Sequence, residues 1–319
     1  MIHGAIPDKR ASELATKERG ITVVVVPVDY ASPAPLRPGD TIAVVAPSSP
    51  FPRQELLSGM AWLRARYTIV ASDKMSSRHG YLAGDDERRR AELVGVLARG
   101  DVKAIIAARG GYGATRILDV DWSALRRSPK WLVGFSDITA LHCEAVRVGV
   151  RSIHAPNVTG LARVDSWTRH CLLTALERPE ESRQWNDLTT LREGAGEGPA
   201  VGGNLALVES MAAAGRLVLP ASAVLFLEDV TERPYRIDRM LTALRLGGYL
   251  SAVSAVVFGS FSECAPGPDG VTVDDVLASF AHDTKVPVLS GAPFGHGSRN
   301  DAFILGRTVK VGQGRVTFV

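Results

Sequence analysis

From Pro38 onward the chain alternates short β-rich runs with amphipathic helical stretches, the signature of a mostly parallel sheet with helices on both faces. Strands are predicted over residues 41–46, 68–71, 102–108, 131–134 and 152–154. Between them, residues 54–66 set Leu56, Met60 and Leu63 on one helical face, and residues 86–99 do the same with Leu93, Val94 and Leu97. A doubly wound α/β domain over residues 35–176 follows. Around residues 177–200 the pattern breaks into Pro, Gly and charge, which reads as a surface connection. A second set follows over residues 201–319: helices at 205–214, 235–246 and 273–282, and strands at 223–228, 253–258, 286–289 and near Phe303 and Val309. This describes a smaller C-terminal α/β domain.

Composition narrows the function classes. The 319 residues are 45% hydrophobic and 22% charged, an ordinary globular balance that can fill two cores. The formal charge of +3 arises from scattered residues, so no nucleic-acid arm is indicated. Cys143, Cys171 and Cys264 are far apart and lack C-x-x-C spacing, which points away from disulfides and zinc and toward a reducing cytoplasm. The apolar run Ile21–Val26 lacks the length and flanks of a signal peptide, and no stretch reaches the ~20 apolar residues of a membrane span. Residues 1–34 read as a poorly packed extension of a soluble, cytoplasmic protein.

Four segments carry candidate chemistry. Residues 131–138 run from a buried strand through Gly134 into a helix predicted over 139–146, placing Ser136 at a strand-to-helix elbow. There the unpaired N–H groups and positive dipole end of a helix can stabilise an oxyanion. Ser136 or Asp137 could equally cap the helix, and the second Gly of the G-x-S-x-G elbow is absent. Residues 108–113, Ala-Arg-Gly-Gly-Tyr-Gly, fail the G-x-G-x-x-G spacing of a dinucleotide loop. Gly111 could donate a second oxyanion hydrogen bond or make a plain tight turn. His296 lies in a Gly-flanked loop beyond a strand end, where α/β sheets bind ligands, with His154 as its competitor. A basic histidine needs a carboxylate on its other nitrogen, and Glu228, ending the apolar run 223–227, suits this; a salt bridge to Arg233 or Arg236 is the alternative.

Together these segments resemble the serine LD-carboxypeptidase family (peptidase family S66), which also contains the microcin-immunity peptidases. The resemblance runs from Pro38 to the C-terminus. It is carried by residues 38–48 (PGDTIAVVAPS), 108–113 (ARGGYG), 134–137 (GFSD), 202–205 (GGNL), 226–229 (FLED), 235–241 (YRIDRML) and Gly295-His296. It implies Ser136 as nucleophile, Glu228 and His296 completing a triad split between two α/β domains, an oxyanion hole from the N–H groups of Gly111 and Asp137, and a homodimer; no metal or other cofactor is expected, since His296 has no H-x-x-x-H or H-x-E partner and the paired acids lack a neighbouring histidine. The implied substrate is a small muropeptide losing its terminal D-alanine, with no nucleic-acid or membrane partner; Arg109 and Asn204, in two of the matching blocks, are candidate substrate contacts. Ile304 stands where the family often has proline. Relatives that cleave nucleotide-linked peptides use a longer, aromatic-bearing loop where residues 177–199 offer Trp185 alone, so the muropeptide reading is favoured over the immunity type. A non-catalytic binding protein is the more distant alternative.

Overall fold

The computed structural model describes residues 14–18, 21–26 and 29–319. Strands β1 (Leu14–Glu18) and β2 (Ile21–Val26) pair with each other, and the expected extension otherwise lies in part outside the described residues. The predicted alternation then appears as β3 (Thr41–Val45), α1 (Arg53–Arg64), β4 (Thr68–Ala71), α2 (Asp86–Ala98), β5 (Val102–Ala107), α3 (Ser123–Arg127), β6 (Trp131–Gly134), α4 (Thr139–Arg147) and β7 (Ser152–His154). These five strands, β3 to β7, are parallel in the order β7-β6-β5-β3-β4. Their residues are apolar because helices cover both faces of the sheet.

Two helices follow, α5 (Val158–Leu161) and α6 (Ser166–Glu177). The sequence reading missed α6, whose polar first turn is capped by the Asp165 carboxylate accepting from Thr168 N–H at 2.7 Å. The second half comprises β8 (Arg183–Trp185), β9 (Thr189–Arg192), β10 (Ala195–Asn204), α7 (Leu205–Ala213), β11 (Leu219–Pro220), β12 (Ala223–Val230), α8 (Pro234–Leu246), β13 (Val253–Ser262), α9 (Val273–Asp283), β14 (Val288–Ser290), β15 (Phe303–Leu305), β16 (Thr308–Gly312) and β17 (Arg315–Phe318). Its sheet has order β8-β17-β16-β10-β12-β13-β14-β9, parallel from β10 to β14 and antiparallel toward both ends.

Two features depart from the expected division. Residues 177–200 are not a bare connection, since β8, β9 and most of β10 lie in them. Their glycines mark close backbone packing: a Cβ on Gly196 or Gly198 would overlap the carbonyl oxygens of Ser254 or Ser222. The other departure is β15, which leaves the second half and pairs antiparallel with β7, Phe303 opposite His154. Residues 291–302, carrying His296, therefore bridge β14 in one sheet and β15 in the other.

One buried apolar cluster also joins the halves, with Leu141 and Ala145 of α4 in the same core as Leu205, Val208 and Met211 of α7. Trp185 lies in a separate core, stacked on Phe294 with ring centroids 5.9 Å apart and edge-on to Phe226, Phe303 and Phe318. Among the described residues no helix is long and apolar enough to cross a membrane. Because Trp185 is buried against four phenylalanines, Trp185→Ala is expected to cost about 3–5 kcal/mol. Urea unfolding should show it as a lower midpoint; a loss under about 1 kcal/mol would mean that this aromatic core is not packed as described.

Candidate active site

Ser136 follows β6 in a tight elbow. Phe135 is extended, Ser136 takes φ = +64°, and one 3₁₀ turn over Ser136–Ile138 leads into α4. A left-handed backbone at a non-glycine residue costs roughly 1–3 kcal/mol and is tolerated where surrounding packing enforces it. Here the enforcement is visible. The Phe135 N–H donates to Asn157 Oδ1 at 3.3 Å, and the buried Asp137 carboxylate accepts from Ala114 N–H at 2.8 Å. Burial pushes the Asp137 carboxyl above its ordinary value, against the pull of that hydrogen bond.

The Ala114 contact ties the elbow to the loop after β5. Gly110 faces Ser136 so closely that a Cβ there would lie 2.9 Å from Ser136 Cβ. Gly111 has φ = +106°, and a Cβ on it would overlap the Ser49 side chain. Ser49 Oγ accepts from Tyr112 N–H at 3.1 Å. Beneath, the fully buried Arg89 donates to the carbonyls of Pro47 and Gly113 and pairs with Asp86, clamping both loops. Neither the Gly111 nor the Asp137 N–H meets a backbone acceptor among the described residues.

Across the cleft, Glu228 is fully buried near the end of β12, and its Oε2 lies 2.7 Å from His296 Nδ1. That contact requires Gly295, at φ = +106°, because a Cβ there would lie 2.7 Å from Glu228 Oε2. The loop is held by Gly297 N–H donating to Ser260 Oγ at 2.8 Å and Gly295 N–H donating to Asn300 Oδ1 at 3.1 Å. Burial disfavours the charged imidazole, yet the hydrogen bond and charge of Glu228, with Asp229 and Glu263 behind, outweigh it and hold His296 above its ordinary pKa. With Nδ1 occupied by Glu228, Nε2 is left for the cleft. Phe135 packs on the His296 ring, centroids 4.7 Å apart.

Ser136, His296, Gly111 and Arg109 line one cavity of about 420 Å³, so the structure brings most of the expected site residues together. Asp137 and Glu228 are buried and not on its wall, and neither is Asn204. Asn204 is buried away from the cavity wall, where its N–H donates to Thr139 Oγ1 at 3.0 Å, its Nδ2 to Asp229 Oδ1 at 2.9 Å, and its Oδ1 accepts from Leu207 N–H. Asn204 therefore joins the elbow helix to the strand carrying Glu228. Asp229 also accepts from Ala206 and Val230 N–H groups, and burial pushes its carboxyl up to about 6 against those donors. Glu228 makes no ion pair with Arg233 or Arg236; Arg236 pairs instead with Glu232. His154 is buried among Phe135, Phe294 and Phe303, and burial holds its pKa far below the ordinary value.

The sequence reading missed Asn157, which follows β7, and the pair Glu55 and Arg163 on the cavity wall. The first could have been sought at the end of a parallel strand; the pair has no local signal. The electrostatics yield a direct test. By NMR titration His296 should change charge above pH 6.5, and Glu228→Gln should move that midpoint down by removing the opposing charge. An unchanged midpoint would mean that Glu228 does not set the protonation of His296.

Comparison with known proteins agrees with this architecture. Residues 42–155 match the family model of the LD-carboxypeptidase N-terminal domain, and residues 197–311 that of the C-terminal domain. A Bacillus subtilis protein named "Probable murein peptide carboxypeptidase" is 34% identical over 284 residues, covering 86% of this chain and 89% of the relative. The crystal structure of muramoyltetrapeptide carboxypeptidase from Oxalobacter formigenes superposes with a TM-score of 0.78 at 29% identity, covering 87% of this chain and 97% of that one. The microcin C7 self-immunity protein of Escherichia coli is 25% identical over 310 residues, covering 82% of this chain and 88% of its own. The chain belongs to the LD-carboxypeptidase family, peptidase S66, and is a hydrolase of the carboxypeptidase type.

Proposed function

We propose that the protein is a serine carboxypeptidase that releases terminal D-alanine from muropeptide tetrapeptides, with Ser136, His296 and Glu228 as its triad. The observation that carries this reading is the buried Glu228 on Nδ1 of His296, opposite a serine with left-handed backbone on the same cavity. Ser136 Oγ attacks the carbonyl of the L-centre while His296 Nε2 takes its proton; the amides of Gly111 and Asp137 hold the oxyanion. The C–N bond breaks as His296 returns the proton to the departing amine. Water, activated by the same histidine, then hydrolyses the ester and frees the tripeptide. Glu228 orients the ring and stabilises its charged form. Arg109, whose Nη1 donates to the Pro50 carbonyl at 2.7 Å on the cavity wall, is suited to the terminal carboxylate.

The relatives named for murein peptides support this substrate class. An immunity-type activity on nucleotide-linked peptides would need an aromatic surface over the cleft, whereas Trp185 is consumed in the core. We further assign the activity to the cytoplasm, in peptidoglycan recycling, consistent with three buried free thiols, and to a homodimer of two-domain subunits, 35–176 and 201–319, on the strength of the family resemblance.

Ser136→Ala is expected to cut kcat on the order of 10⁶-fold while leaving the fold intact. Retention of a tenth of the activity would remove Ser136 from its role. The purified protein should release D-alanine from L-Ala-D-Glu-meso-diaminopimelate-D-Ala and act poorly on an aminoacyl-sulfamoyl adenylate, because selectivity follows transition-state binding and Trp185 is buried in the core. Faster cleavage of the adenylate analogue would overturn the muropeptide assignment.

A further inference from the structure

Glu55 and Arg163 reach the cavity from different helical segments. Glu55 lies in the first turn of α1, and Arg163 follows α5. They meet because α1 and α5 pack almost backbone to backbone: Gly59, one turn beyond Glu55 on the same face, presses against Val158, and a Cβ there would overlap the Val158 carbonyl oxygen. The result is Arg163 Nη1 at 3.0 Å from Glu55 Oε1. Both groups remain solvent-accessible, Arg163 by 68% of its side chain and Glu55 by 28%. Such an exposed pair adds little stability, so a ligand can exchange partners with it at small cost.

Charge inventory gives the pair its meaning. Glu55 is the one carboxylate among the residues lining the cavity, and the guanidinium groups there are those of Arg109 and Arg163. A tetrapeptide with meso-diaminopimelate at the third position presents an ammonium and a carboxylate on one carbon at the end of that side chain. Resting on the tetrapeptide reading above, we infer that Glu55 and Arg163 form the receptor for this zwitterionic end, Glu55 taking the ammonium and Arg163 the carboxylate. Arg109, closer in sequence to Gly110 and Gly111, keeps the terminal D-alanine. The pair makes the enzyme selective for diaminopimelate over lysine, whose side chain ends in an ammonium alone and leaves Arg163 without a partner.

The test compares kcat/KM for three tetrapeptides that differ in one group each: meso-diaminopimelate at position three, L-lysine at position three, and the diaminopimelate peptide with the D-Glu α-carboxylate amidated. The wild type should prefer diaminopimelate over lysine by about five- to tenfold, chiefly through KM, the effect of one charge-assisted contact at a partly exposed site. Arg163→Gln should bring that ratio to about one, Arg163→Lys should retain part of it, and Glu55→Gln should raise KM for both peptides and leave the ratio in place. An unchanged ratio in Arg163→Gln overturns the assignment. So does a variant that instead loses discrimination against the amidated peptide, which would put Arg163 on D-Glu. Absence of D-alanine release from all three peptides would bring down the carboxypeptidase reading too, whereas release without discrimination by the wild type would bring down this assignment alone.

Discussion

The Glu228–His296 hydrogen bond is the contact on which the site's construction turns. A carboxylate with no exposed surface must find a charged or hydrogen-bonded partner, and breaking such a pair from one side costs roughly 3–5 kcal/mol. The fold accommodates it by giving up a side chain at Gly295, by fixing the loop on Ser260 and Asn300, and by placing Asp229 beside Glu228 among three donors. Each device serves the position of one imidazole ring.

A matching set of devices serves Ser136. Its unfavourable backbone is over-determined by Asn157, by the Asp137 carboxylate and by a glycine opposite it. Asn204 links the two sets, one side on Thr139 at the start of α4 and the other on Asp229 after Glu228. Ser136, after β6, and Glu228, on β12, thus belong to different sheets but share a buried polar tie and a continuous apolar core. Their relative placement is a property of packing.

How far this was legible in the sequence depended on the range of the interactions. β4, β6 and β7 coincide with their predicted spans because apolar runs bounded by polar or turn residues report strands locally. Ser136, Glu228 and His296 could be singled out because each ends or follows such a run. Strands β8 and β9 could not, since short polar edge strands are defined by their neighbours. Asn204 stood in a recognisable block, but its partners lie 65 and 25 residues away, so its buried contacts have no local signal. The meeting of Glu55 with Arg163 is set by a helix contact at Gly59 that no periodicity announces.

The return of β15 to the first sheet has a consequence for biogenesis. Synthesis proceeds from the N-terminus, and the parallel strands β3 to β7 are complete long before Phe303–Leu305 emerges. Throughout that interval β7 is an open edge with unpaired backbone groups, the kind of surface that templates strand addition between nascent chains. Its shortness, three residues, limits the hazard. The same delay leaves the loop carrying His296 unfastened at its far end until almost the last strand is made.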